Sequence, residues 1–358
     1  MPYSTTARAE ELESVKIGAL LSLTGNWAQL SRNIQQGMEL AVEQINQEGG
    51  VLNRKIELVI EDTDEEKSGG KVVTAYKLLR GSGISLFVGP LGAPGSLALM
   101  PIAKAEQVIL IAPSTPGAFY KESPNFFNTG GDNYYTTKAL AERVYAEGHR
   151  RVAIFGSRQP WEATQADTFR NIFAALGGEI VAEVSPEPDQ TILNAEALRI
   201  VAAKPDAIVF AIYNQVAPAA KAIKQLGYQG AKYSVQLDST RLVGSAGGLE
   251  GAQVMLFAPP SEKFIETFSK RYNAQPQIFA DAGYDAVIAL AEAIRRSGSL
   301  EVQQIAASLS SLQFDGSASE QLSFNREGLI NRKLSIAVVK TGRIIEPRSA
   351  IAGAMGQR

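Results

Sequence analysis

The chain has 358 residues, 45% of them apolar and 20% charged, with a formal net charge of −2. That is enough chain for two domains with real cores, and no basic face is available for nucleic acid. It contains no cysteine, which excludes disulfides, thiolate metal ligands and cysteine nucleophiles, and no apolar run near the ~18 residues of a membrane helix.

Residues 1–14 are polar and charged, and they lack the apolar segment of a signal peptide. A strand is then expected at Val15–Leu21, followed by a helix in which Ile34, Met38, Ala41, Val42 and Ile45 recur at helical spacing until Gly49-Gly50 stops it. Strands at Ile56–Ile60, Ile84–Val88 and Val108–Ile111 alternate with helices at Val72–Leu79 and Ser96–Ala105. This alternation implies parallel strands joined by crossover helices. Between them, the acidic run Glu61–Glu66 reads as a solvated turn. It has Lys67 and Val73 where a calcium loop needs Gly and Glu.

Lys121–Tyr135, rich in Pro, Asn, Gly and Asp, reads as a linker. The alternation then restarts with a helix at Thr137–Ala146, strands at Val152–Phe155, Ile180–Val184, Ala207–Ile212 and Tyr233–Gln236, and helices between them. After Ala258-Pro259-Pro260 come two helices, Phe264–Tyr272 and Ala282–Arg296, and a last strand, Leu334–Val339. The pattern is α/β. Two doubly wound parallel-sheet lobes are expected: residues 15–128 plus 259–331, and residues 129–258 plus 332–351, behind a polar tail of residues 1–14. A connection of several segments suits a hinge that lets the lobes close on a ligand.

Enzyme signatures fail in turn. The first strand is followed by Ser22-Leu23-Thr24-Gly25-Asn26-Trp27 rather than G-x-G-x-x-G, and Gly70-Lys71 is followed by Val72 rather than Ser or Thr. The single histidine, His149, follows a helix-ending glycine and reads as a surface residue; no G-x-S-x-G elbow accompanies it. No catalytic residue, metal site or cofactor is expected.

In open α/β sheets ligands lie beyond the carboxyl ends of the strands. The residues there are Trp27 and Leu30, the turn Gly89–Ser96 with Ala93 in it, Pro113-Ser114-Thr115-Pro116, Trp161, Tyr213-Asn214 and Asp238-Ser239-Thr240. Small and hydroxyl residues in the first lobe and aromatics with a carboxylate in the second would suit a zwitterion. Each has a plain structural alternative: a tight turn at Gly92–Gly95, core aromatics at Trp161 and Tyr213, a helix cap at Asp238.

Several of these segments resemble one family. Val15–Gly25, the helix Gly37–Asn46 followed by Gly49-Gly50, Phe87-Val88-Gly89-Pro90, Ile111–Thr115 and Tyr284-Asp285-Ala286 are similar to the type I periplasmic binding proteins, the group of the leucine/isoleucine/valine-binding protein of ABC importers. The resemblance implies an extracytoplasmic solute receptor, periplasmic or lipid-anchored with its export signal removed. It would bind a small ligand, expected to be an amino acid, and dock on a membrane permease. It also implies that backbone around Ala93 and Ser114-Thr115 holds the ligand's charged groups, that Trp161 and Tyr213 cover it, and that Leu30 and Tyr284 wall it. Asp238 would pair its ammonium. Ala93 replaces a serine of the family pattern, and the Ser114-Thr115 turn is one residue shorter. A cytoplasmic or periplasmic sensor of the same fold, an amide-type regulator, is the alternative.

Overall fold

The computed structural model describes residues 13–345 apart from Asn26, residues 66–68 and Pro116. Most of the expected polar tail, residues 346–351, Glu66, Lys67 and Pro116 therefore lie outside the described residues. The chain divides into two compact units. The first holds the described residues up to Ser114, Phe119–Gly130 and Ser261–Ile330; the second holds Thr115–Ala118, Gly131–Pro260 and the described residues from Asn331.

The chain opens with β1 (Val15–Leu21), α1 (Ala28–Gln47), β2 (Ile56–Asp62), α2 (Gly70–Gly81), β3 (Leu86–Val88), α3 (Ala93–Ala105), β4 (Ile109–Ala112) and β5 (Phe126–Asn128). Their strands form a parallel sheet of order β2-β1-β3-β4-β5. After α4 (Asn133–Ala146) come β6 (Arg151–Phe155), α5 (Pro160–Ala175), β7 (Glu179–Val184), α6 (Asn194–Ala202), β8 (Ala207–Phe210), α7 (Val216–Gln225), β9 (Ala231–Ser234), α8 (Ser239–Gly244) and β10 (Gln253–Phe257). Helices α9 (Glu262–Tyr272), α10 (Ala280–Ser297) and α11 (Val302–Leu309), with the small ribbon β11 (Gln313–Phe314) and β12 (Leu322–Ser323), belong to the first unit. The strands β13 (Leu334–Lys340) and β14 (Arg343–Ile345) complete a sheet of order β14-β13-β10-β9-β8-β6-β7 in the second.

Strand periodicity places the cores. In unit 2, Val152, Ile154, Ala207 and Val209 face a cluster with Leu140, Val144, Phe169 and Phe173 of α4 and α5. The alternate residues Ala153, Phe155, Ile208 and Phe210 face a cluster with Ile200, Ala219 and Ile223 of α6 and α7. Helices on both faces explain why β6 and β8 are nearly continuous apolar runs. Unit 1 repeats this: Val15, Ile17, Ala19 and Leu21 pack under α1, α10 and α11. Gly18, on the opposite face, leaves room for the Phe87 ring.

Helices α1 and α10 meet at backbone distance. A Cβ on Gly37 would lie 1.8 Å from the Ala280 carbonyl oxygen, and one on Gly283 would lie 2.4 Å from that of Ile34. The Thr129 hydroxyl donates to the Ala282 carbonyl, tying α10 to the residue that follows β5.

Four expectations are corrected. Lys121–Tyr135 is not a plain linker, because it contains the buried edge strand β5 and the start of α4, which Asp132 caps by accepting from the Tyr134 amide. The sheet of unit 2 is not wholly parallel: β13 pairs antiparallel with β10 and β14 with β13. The run Glu61–Glu66 is not simply solvated, since Glu65 is fully buried. His149 is half-buried, its ring edge-on to Tyr233 at 5.8 Å.

Gly37→Val should lower the unfolding free energy by about 1–3 kcal/mol or more, because α1 and α10 cannot separate without opening the core. Gly81→Ala, where a Cβ meets nothing within 4 Å, is the control and should be neutral or slightly stabilising. Urea denaturation of the two variants checks both.

Candidate ligand-binding site

In unit 1, two carboxyls, Asp62 at the surface and Glu65 buried, engage the loops that follow the strands. Asp62, at the end of β2, accepts from the Leu23 amide and from the Thr24 hydroxyl, both at 2.8 Å. Burial pushes its carboxyl up, but the Thr24 hydroxyl and the Leu23 and Asp64 amides outweigh that and leave it below its ordinary value. Glu65 reaches across to the loop after β3, where its Oε1 accepts from the Leu91 amide at 2.7 Å and from that of Gly92. Its Oε2 has no partner among the described residues. A Cβ on Gly95 would come within 2.0 Å of that oxygen, so the helix turn is open only because residue 95 has no side chain. Burial pushes the Glu65 carboxyl up to about 8, against the two amides that lower it.

The indole of Trp27, which precedes α1, lies against Gly92; a Cβ there would sit 2.4 Å from the ring. Ala93 opens α3 and is half-buried; Pro94, next to it, has no N–H to offer. Ser114 is buried and donates its hydroxyl to the Leu91 carbonyl at 2.6 Å. Trp27, Ala93 and Ser114 are thus linked through Leu91-Gly92. Leu30 is half-buried against the main core of the unit. Tyr284 is not brought to these loops: it packs on Phe264, and its hydroxyl donates to Gln44 of α1 at 2.6 Å, because its helical phase on α10 turns it into the helix layer. Thr115 is buried and groups with unit 2.

In unit 2 the carboxyl is Glu162, in the first turn of α5. Its Oε1 accepts from the Tyr213 and Asn214 amides at 2.8 and 3.1 Å, and its Oε2 accepts from the Ser157 hydroxyl. Neighbouring Trp161 is half-buried against the α4–α5 core, and its indole N–H has no acceptor among the described residues.

Tyr213 and Asp238 come together, though not as free groups. Asp238 caps α8: its Oδ1 accepts from the Arg241 amide at 2.8 Å. Its Oδ2 accepts from the Tyr213 hydroxyl and from Arg241 Nη1, both at 2.6 Å. The Arg241 guanidinium lies over the Tyr213 ring at 3.5 Å and also donates to the Tyr213 carbonyl and the Asn214 side chain. Burial, with the charge of Asp238, holds the Tyr213 phenol well above its ordinary value. Arg241 escaped the sequence reading. Its signal was the spacing: a cation three residues after an acidic helix cap faces it across the first turn.

Among the described residues no group of His, Asp or Glu is placed to hold a metal, and no helix is long and apolar enough to cross a membrane. Residues 14–343 match the periplasmic binding protein family. The chain belongs to that family. Family and fold are those of solute-binding receptors. This binding protein is 26% identical to the Leu/Ile/Val-binding protein BraC3 of Rhizobium johnstonii over 204 residues, 56% of this chain and 55% of that one. The match therefore spans about half the length of that relative. The solved leucine-binding protein LivK of Thermotoga maritima superposes with a TM-score of 0.84 at 24% identity, covering 94% of this chain and 99% of the other. A solute-binding protein of R. palustris in complex with benzoate gives 0.82 at 18%, covering 93% and 95%. At these identities the two structures establish the fold.

The buried Glu65 makes stability pH-dependent. Its folded pKa of about 8 lies above the ordinary carboxyl value of 4.5, so across that window the folded chain holds a proton that the unfolded chain has released. Its contribution is full below about 4.5 and is lost as the pH rises through 8. Relative to the parent, Glu65→Gln should gain little at about pH 5 and on the order of a few kcal/mol at about pH 9. Calorimetric melting of both proteins across that range is the check; parallel curves would contradict it.

Proposed function

We propose that this binding protein is the extracytoplasmic receptor of an ABC importer, that it hands its ligand to a membrane permease, and that the ligand is a small organic acid. One observation carries the reading: a member of a solute-binding family presents half-buried Trp161, Tyr213 and Arg241 beyond the strand ends of unit 2. Flat apolar faces and a fixed cation are the groups that take an apolar body with an acidic head. The names of the similar proteins, which cite leucine, isoleucine, valine and benzoate, fit such a ligand.

The same residues support binding without chemistry. Glu162 and Asp238 are hydrogen-bonded on both oxygens, so neither is poised as a free general base, and the sequence has neither a cysteine nor a second histidine.

Thermal-shift measurements with leucine, isoleucine, valine, benzoate and short aliphatic acids test this. A matching ligand at a hundred times its Kd should stabilise the fold by about 2.7 kcal/mol, several degrees of Tm. Mass spectrometry after long incubation should recover it unchanged. No shift from any organic acid would overturn the ligand class; a reproducible product would overturn the receptor reading.

A further inference from the structure

Several strand-end amides are engaged by the protein's own carboxyls. Leu23 donates to Asp62, Leu91 and Gly92 to Glu65, Tyr213 and Asn214 to Glu162. Pro94 removes one more donor from the first turn of α3.

Asp238 is a weak counter-charge for a ligand ammonium. Its oxygens accept three bonds and its charge is balanced by Arg241, with the two side chains only 17% and 19% exposed. An incoming ammonium would have to share the carboxylate with a guanidinium that is stacked on a phenol ring and hydrogen-bonded at three nitrogens.

Arg241 itself has donors to spare. Protein acceptors engage three of its five N–H groups: Nε with the Tyr213 carbonyl at 2.9 Å, Nη1 with Asp238 at 2.6 Å and Nη2 with Asn214 at 3.1 Å. Among the described residues one N–H on each Nη has no acceptor, and a guanidinium with donors to spare is a receiver for a carboxylate.

We propose that Arg241 is the specificity-determining residue of this receptor: held in place by Tyr213, Asp238 and Asn214, it receives the ligand's carboxylate and selects acids that lack an α-ammonium. The inference rests on the organic-acid reading above and narrows it.

Calorimetric titration with matched pairs tests it: 4-methylpentanoate against L-leucine, and 3-phenylpropanoate against L-phenylalanine, each pair differing only by the ammonium. In whichever pair binds, the simple acid should bind at least about tenfold more tightly. Arg241→Gln should weaken the acid by about tenfold or more and, by freeing Asp238, should strengthen the amino acid. A merely structural arginine would move both ligands in the same direction. Arg241→Gln with Asp238→Asn should lose the acid without gaining the amino acid. Should Arg241→Gln fail to fold, Arg241→Lys keeps the charge without the fork and should still weaken the acid. Tighter binding of the amino acid by the parent protein, or unchanged acid affinity in the Arg241 variants, overturns the inference and leaves the receptor reading intact. If neither pair binds and no other organic acid shifts the melting temperature, the organic-acid reading fails as well.

Discussion

A loop that leaves a parallel strand carries backbone amides that the ladder no longer satisfies, and buried amides must find an acceptor. This protein solves the problem with its own carboxyls. Asp62 takes the amide at the end of β1, Glu65 those after β3, and Glu162 those after β8. Each bond pins a loop to a distant part of the chain, 26 residues away for Glu65 and 51 for Glu162. The positions of Trp27, Ala93, Tyr213 and Asn214 follow from those ties.

The carboxyls are not in equivalent environments. Asp62 is close to the surface and gathers enough donors to stay charged; Glu65 is sealed, has one oxygen without a partner among the described residues, and is pushed by burial toward its neutral form. A neutral acid at the start of α3 fits a dry turn in which Gly95 has no side chain. The scaffolds around these loops are rigid for simple reasons: strands with helices on both faces, and in unit 1 a helix pair at glycine contact.

Asp238 shows how a neighbour changes the meaning of a residue. Alone after a strand it reads as a cation receptor. With Arg241 one helical turn away it becomes a cap, a counter-ion and an anchor that aims the guanidinium. Tyr213 supplies the third contact, its ring under the guanidinium and its hydroxyl on the carboxylate. The cap that sequence reasoning held as the plain alternative is present, and the charge at this edge belongs to the pair.

Strand and helix periodicity were legible in the sequence because burial writes them at period two and 3.6. So was the α/β architecture, and so were the motifs that tie the chain to its family, since Val15–Gly25 and Gly37–Asn46 encode contiguous elements. The loops after the strands could also be named, because they follow from where strands stop. What the sequence could not show was which partners close those loops. Glu65 and Leu91 are 26 residues apart, Glu162 and Tyr213 51, and Tyr213 and Asp238 25, and no local pattern records such pairs. Tyr284 was read toward the ligand and is turned into the helix layer, because rotation about α10 decides it. Only the tertiary structure made the acidic turn a buried acid and Asp238 half of an ion pair, because burial and charge balance are properties of neighbours in space, not in sequence.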